Sequence, residues 1–174
     1  AYPFPVRGQV VEAMAFGYAG RYVVTPTQRS AGLAAPREFV DRRVGGALVL
    51  HPRPVGVQAE WNVGTGPEAD VAARTIVERR LAGGYVQAAY HARAGGRDLL
   101  PYVRAQRYDG GKKFELDARR HRVRELEAGV EWAATDAVEL TAALQAAERE
   151  TSDLARPDDR QRGRRVRVQA QITF

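Results

Sequence analysis

The chain has 174 residues, a mean hydropathy of -0.43, no cysteine and a net charge of +6. The missing cysteines exclude disulfides and thiolate metal sites, and no apolar run reaches the ~18 residues a transmembrane helix needs. Yet 44% of the residues are apolar, which suits strands that are apolar on alternate positions only, as in a transmembrane barrel.

All but two of the 27 basic residues are Arg, the exceptions being Lys112 and Lys113. Arginine stays charged at any working pH and grips carboxylate or phosphate through a planar fork, so an anionic partner is expected. The chain begins at Ala1 with no initiator Met and no leader. The expectation is a removed signal peptide or a piece of a longer chain.

Period-two alternation predicts eight strands, near residues 8–22, 42–51, 55–64, 84–93, 99–108, 122–133, 138–149 and 164–174. The first is interrupted by Val10 and Val11. In the third, Val55, Val57, Ala59, Trp61 and Val63 oppose Gly56, Gln58, Glu60 and Asn62. In the sixth, Leu126, Ala128, Val130 and Trp132 oppose Glu125, Glu127, Gly129 and Glu131. Residues 138–150 have the composition of a helix, but Leu140, Ala142, Leu144 and Ala146 alternate and favour a strand. The last is the clearest: Val166, Val168, Ala170, Ile172 and Phe174 share one face, Arg165, Arg167, Gln169 and Gln171 the other.

The connections alternate in length. Short turns are predicted at 51–54, 94–98 and 134–137, and long polar connections at 23–41, 65–83, 109–121 and 150–163. Short turns at one end and long loops at the other mark outer-membrane barrels. Pro67 to Leu81 predicts a short helix or turn inside the second long connection. Trp61 is expected near the outer membrane interface and Tyr102, Trp132 and Phe174 near the inner one, as an aromatic belt.

Several stretches resemble the phosphate-selective porins, the porin O and P family: GQVVEAMAFGYAGRYV, DRRVGGALVLHPRPVGVQAEWNVGTGPE, GGYVQAAY, LLPYVRAQRYDGGKKFE, RVRELEAGVEWAATDAVELTAAL and the ending VRVQAQITF. The resemblance implies an antiparallel transmembrane β-barrel of sixteen strands, commonly trimeric, that passes small anions across the bacterial outer membrane. A final aromatic such as Phe174 resembles the assembly signal of these barrels. Residues 1–174 then form one porin domain or its carboxy-terminal half. The family's phosphate selectivity rests on arginine rows and a lysine cluster, whereas this chain has a single Lys pair, so a general anion pore is the safer expectation.

Conduction needs a wet channel with placed charges and no catalytic group. The strand faces assign Arg104, Arg93, His91, Arg165 and Arg167 to the pore lining as cations, and Glu125, Glu127 and Glu131 as anions. Arg104 is expected to pair across strands with this Glu row. The Arg-rich runs 119–122 and 160–165 fall at loop junctions without a nucleic-acid-binding motif; lipopolysaccharide phosphate is the more economical partner, and no nucleic acid is expected. His51, His91 and His121 lack metal-ligand spacing, Ser30 and Ser152 lack a nucleophile context, and Gly64-Thr65-Gly66 is too short for a phosphate loop. Neither enzyme activity nor a cofactor is expected. The competing reading is a soluble basic β-barrel that binds nucleic acid or a small anion, and it requires the apolar faces to point inward.

Overall fold

The structure, a computed structural model, describes residues 2–6, 8–23, 38–112, 118–152 and 157–173. Phe174, Lys113 and most of the connection at 23–41 lie outside the described residues. The elements are β1 (Tyr2–Val6), β2 (Gln9–Val23), β3 (Glu38–Leu50), β4 (Val55–Asp70), β5 (Thr75–Tyr90), β6 (Ala92–Ala94), β7 (Arg97–Gly111), β8 (Arg120–Ala133), β9 (Val138–Ser152) and β10 (Asp159–Ile172). Among the described residues there is no helix. Every strand pairs antiparallel with its neighbour in sequence, except that β5 pairs β7 and the three-residue β6 caps the start of β7. The sheet is an open meander with β1 and β10 at its edges.

All eight predicted strands are present; β1 is additional, and the predicted strand at 84–93 breaks at His91 into the end of β5 and β6. The 138–150 segment is strand β9, because its alternating Leu and Ala positions outweigh its helical composition once both neighbours pair with it. Residues 67–81 are the clearest correction. No helix forms there; β4 and β5 continue to Asp70 and Thr75, and the connection is the four-residue turn 71–74. Tertiary contacts decide this: Pro67 and Glu68 are buried against Gly111, and the Ala69 amide donates to the Ala118 carbonyl at 2.9 Å. Phe39, Ala69, Ile76 and Ala118 form a buried apolar cluster there, with Tyr22 against it.

The opposite end of the sheet has tight turns. Gly95 and Gly96 both take positive φ (58° and 77°), the conformation of a two-residue type I′ hairpin, which side chains disfavour. Gly129 is needed for a different reason: a Cβ there would stand 2.7 Å from the Tyr102 ring.

From β4 to β10 alternation gives two faces of opposite character, whereas on β2 the concave face carries Val10, Met14, Phe16 and Tyr18. Val44, Leu48, Val103, Leu126, Leu144, Val166, Val168 and Ile172 are all exposed on one face; Val168 reaches 79%. Arg167 on β10 reaches Tyr102 on β7, three strands away, which places the polar residues on the concave face. A soluble barrel would bury its apolar side chains within that concavity. Here they stand outside, as a lipid-facing band requires.

The aromatic belt is only partly as expected. Trp132 is exposed at the short-turn end of β8. Trp61 is exposed on the apolar face but lies nine residues below the end of β4 at Asp70, inside the band and not at its upper rim. Tyr102 is buried on the concave face, where its hydroxyl meets Glu127, so it does not belong to the belt.

Candidate functional site

The concave face over β7–β10 gathers five of the residues singled out from sequence. Arg104, Glu125, Glu127, Arg165 and Arg167, with Gln106 and Gln145, line a polar recess of about 200 Å3. Strand alternation puts them there: Arg104 and Gln106 are two apart on β7, Glu125 and Glu127 on β8, Arg165 and Arg167 on β10.

The register sets Arg104 directly opposite Glu127. The expected ion pair between them is nevertheless not the one that forms. Arg104 Nη2 donates to Gln106 Oε1 at 3.0 Å, and its guanidinium stacks over the Tyr85 ring, 4.6 Å from the centroid. Glu127 instead accepts from the Tyr102 hydroxyl at 2.8 Å and from Arg167 Nη2 at 3.2 Å, which also donates to Tyr102 at 3.2 Å. Sheet curvature brings β10 over β7 and gives the carboxylate to the more distant arginine. Glu125 accepts from Gln145 Nε2 at 3.1 Å and lies 4.0 Å from Arg149.

Two donors are left over. The Nε groups of Arg104 and Arg167 are buried and have no hydrogen-bond partner. Arg165 lines the same recess with no ion pair among the described residues. The recess therefore holds three guanidiniums against two carboxylates, with Arg165 exposed and unpaired, a composition suited to a small oxyanion.

Three residues assigned from sequence lie elsewhere. His91 and Arg93 sit at the short-turn end, where both contact Asp98 Oδ1 at 3.1 Å. Glu131 is on the same face of β8 as Glu127 but nearer the short turns, and does not line the recess. Sequence reasoning missed Tyr102, Tyr85 and Gln145. Their period-two placement with Arg104 and Glu127 was visible, but the aromatic type of Tyr102 pointed toward the membrane interface, and Tyr85 and Gln145 carry no charge to single them out.

The external end has its own polar cluster. Asp41, fully buried, accepts from the Tyr18 hydroxyl at 2.8 Å and from Arg43 Nε at 3.3 Å. Buried Glu68 lies 3.7 Å from Arg79 and 3.9 Å from Arg120. Glu68 and Arg120 thus tie the projecting β4–β5 hairpin to β8, while Asp41 links β3 to β2. His51 contacts Glu12 at 2.9 Å and His121 lies 3.4 Å from the Thr151 hydroxyl, so the three histidines occupy separate sites.

Neither characterised proteins nor solved structures gave a match. Residues 19–174 match the sequence model described as phosphate-selective porin O and P. That span covers β3–β10 and the last five residues of β2, including the recess and most of the outward apolar band. An antiparallel meander that is apolar outside and polar inside is the architecture such a protein requires, and the chain belongs to the phosphate-selective porin O and P family.

Proposed function

We propose that the chain forms the wall of a water-filled channel in the bacterial outer membrane for small, preferentially anionic solutes such as phosphate. The observation that carries this reading is the recess on the concave face, where the exposed Arg165 guanidinium and those of Arg104 and Arg167 present N–H groups against two carboxylates. A passing oxyanion exchanges water for these donors without binding so tightly that it stays. Glu125 and Glu127 in the recess, with Glu131 and Glu139 below it on the same face, offset much of the positive charge. The preference for anions is accordingly modest, and a general anion pore fits better than a strict phosphate channel.

The concave face of a single sheet cannot enclose a pore. Further strands close it, to sixteen in all by family resemblance, and three such barrels associate. The arginines on the outside face lipopolysaccharide and not nucleic acid. The channel works by diffusion and carries out no catalysis.

The test is reversal potential in planar bilayers, with the full-length porin carrying Arg104→Ala, Arg165→Ala and Arg167→Ala together. Fixed charge in a narrow channel is screened over about 8 Å at physiological salt, so low salt gives the clearest signal. The anion-to-cation permeability ratio should fall by about two-fold or more, and the change should shrink as salt rises. An unchanged ratio at low salt would remove these arginines from the selectivity of the pore.

A further inference from the structure

Outside the barrel wall, the first outward-facing residue above the apolar stretch is an arginine on six strands: Arg21 on β2, Arg42 on β3, Arg80 on β5, Arg107 on β7, Arg124 on β8 and Arg164 on β10. From each, the outward apolar stretch runs eight or ten residues to the short-turn end; Arg42 to Leu50, Arg124 to Trp132 and Arg164 to Ile172 are each eight. That is close to the ~9–11 residues a tilted strand needs to cross a bilayer.

The strand register shows that these arginines share one height. The pairing line from Arg164 passes through Ala146, Leu126, Ala105, Val86, Ala59 and Leu48 to Ala13. Arg124 and Arg107 stand two residues above that line on their strands, Arg80 and Arg42 six, and Arg21 eight. The level thus climbs eight residues over seven strand-to-strand steps. At ~3.4 Å per residue and ~4.8 Å per strand this is a slope of about 39°, within the 35–45° tilt of outer-membrane barrel strands. The short-turn ends slip in the same sense: β3 ends at Leu50, two residues below the line, and β8 continues to Trp132, six below it. In a barrel tilted this way the arginines form a level row along the upper edge of the apolar band.

Arg21 pairs with Glu38 at 2.7 Å, whereas the other five lack an ion-pair partner among the described residues. Arg42, Arg80, Arg107, Arg124 and Arg164 are all exposed. Arg107 stands directly opposite Arg124 in the ladder, a like-charge pairing that is unfavourable unless an anion bridges it. Their neighbours higher up do have acids, since Arg122 contacts Asp109 at 3.1 Å and Glu150 at 2.9 Å. Below Arg124 and Arg164, a shallow groove of about 640 Å3 has Ala105, Leu126 and Ala146 along it; Glu148, which stands opposite Arg124 in the ladder, is at its rim and is held by Arg160 and Arg162. Its apolar walls with guanidiniums at one end suit an acyl chain joined to a phosphorylated head group.

We propose that Arg107, Arg124 and Arg164 are the centre of an outward-facing site for the phosphorylated glycolipid of the outer leaflet, bound by its head-group phosphates. The proposal rests on the membrane reading above and gives its lipid contact named residues. The probe is lipid A with two phosphates, titrated into the detergent-solubilised full-length porin and followed by native mass spectrometry. Dephosphorylated lipid A is the second arm, and inorganic phosphate the competitor.

The parent should hold bisphosphorylated lipid A at least ten-fold more tightly than the dephosphorylated form. The Arg107→Ala, Arg124→Ala, Arg164→Ala variant should lose that difference while its single-channel conductance stays at the parental value. Equal binding of the two lipids by the parent overturns the proposal with no variant needed. Equal phosphate discrimination by parent and variant overturns the assignment of these arginines. Displacement of the lipid by millimolar phosphate would mark a free-anion site and overturn it too. Absent conductance in the parent is a separate result that sinks the pore reading and leaves the lipid comparison standing.

Discussion

The two faces of β7–β10 use the same strands and the same residue type to opposite ends. On the concave face Arg167 is tied to Glu127 and Tyr102, and its neighbours balance three cations with two carboxylates. One residue along each strand, on the convex face, Arg107, Arg124 and Arg164 make no ion pair among the described residues, and the nearby Glu148 is held by Arg160 and Arg162. The excess of positive charge that gives the chain its +6 is therefore concentrated outside. Net charge reports on the whole surface of a barrel, and only the register says how much belongs to the pore.

The largest effect should come from exchanging the characters of the two faces. Leu144 on β9 is exposed on the apolar face at 55%, and Gln145 beside it faces the recess. Leu144→Arg should destabilise the bilayer-inserted barrel by about 2–4 kcal/mol, the range for a cation near the lipid midplane. Gln145→Arg should cost less than about 1 kcal/mol, because that side chain stays wet. Urea unfolding from lipid vesicles compares them, and equal costs would mean that the faces are wrongly assigned.

A smaller loss is expected inside. Tyr102→Phe removes one donor to Glu127 and one acceptor from Arg167, which should cost about 1 kcal/mol in the same unfolding measurement. Because no charge changes, the permeability ratio should stay at the parental value. A shift in selectivity would show that the hydroxyl itself meets the permeating ion.

The smallest free-energy change gives the sharpest sign. Glu127→Gln leaves Arg167 without its carboxylate, so the anion-to-cation ratio should rise by about two-fold at low salt, opposite to the arginine variants. A fall, read from the reversal potential, would mean that Glu127 acts only by holding Arg167 in place.

Strand β10 was legible because both of its faces meet uniform surroundings, lipid on one side and water on the other, so period two survives in the sequence. The upper β4–β5 hairpin was not. Above the membrane no solvent contrast enforces alternation, and Pro67, Glu68 and Ala69 are all buried, in contacts with Gly111 and Ala118 that no local pattern encodes. The recess shows the same division. Its five predicted residues share a face by simple alternation, but the choice of Arg167 over Arg104 as partner of Glu127 depends on the curvature of four strands together. The outward arginines were not legible as one row for a related reason: they lie just past the apolar positions, where strand ends and loop junctions look alike in a sequence.

The two open edges of the sheet have a consequence for handling the protein. Along β10, fourteen residues pair with β9 on one side and present alternate amides and carbonyls to nothing on the other. Each such group left unsatisfied in hydrocarbon costs several kcal/mol, so these residues cannot rest in a bilayer until another strand docks there. In water the same edge, flanked by the exposed Val166, Val168 and Ile172, is a template for self-association. Produced by itself, the stretch should accumulate as β-rich aggregate and become soluble only in detergent or alongside strands that complete the ring.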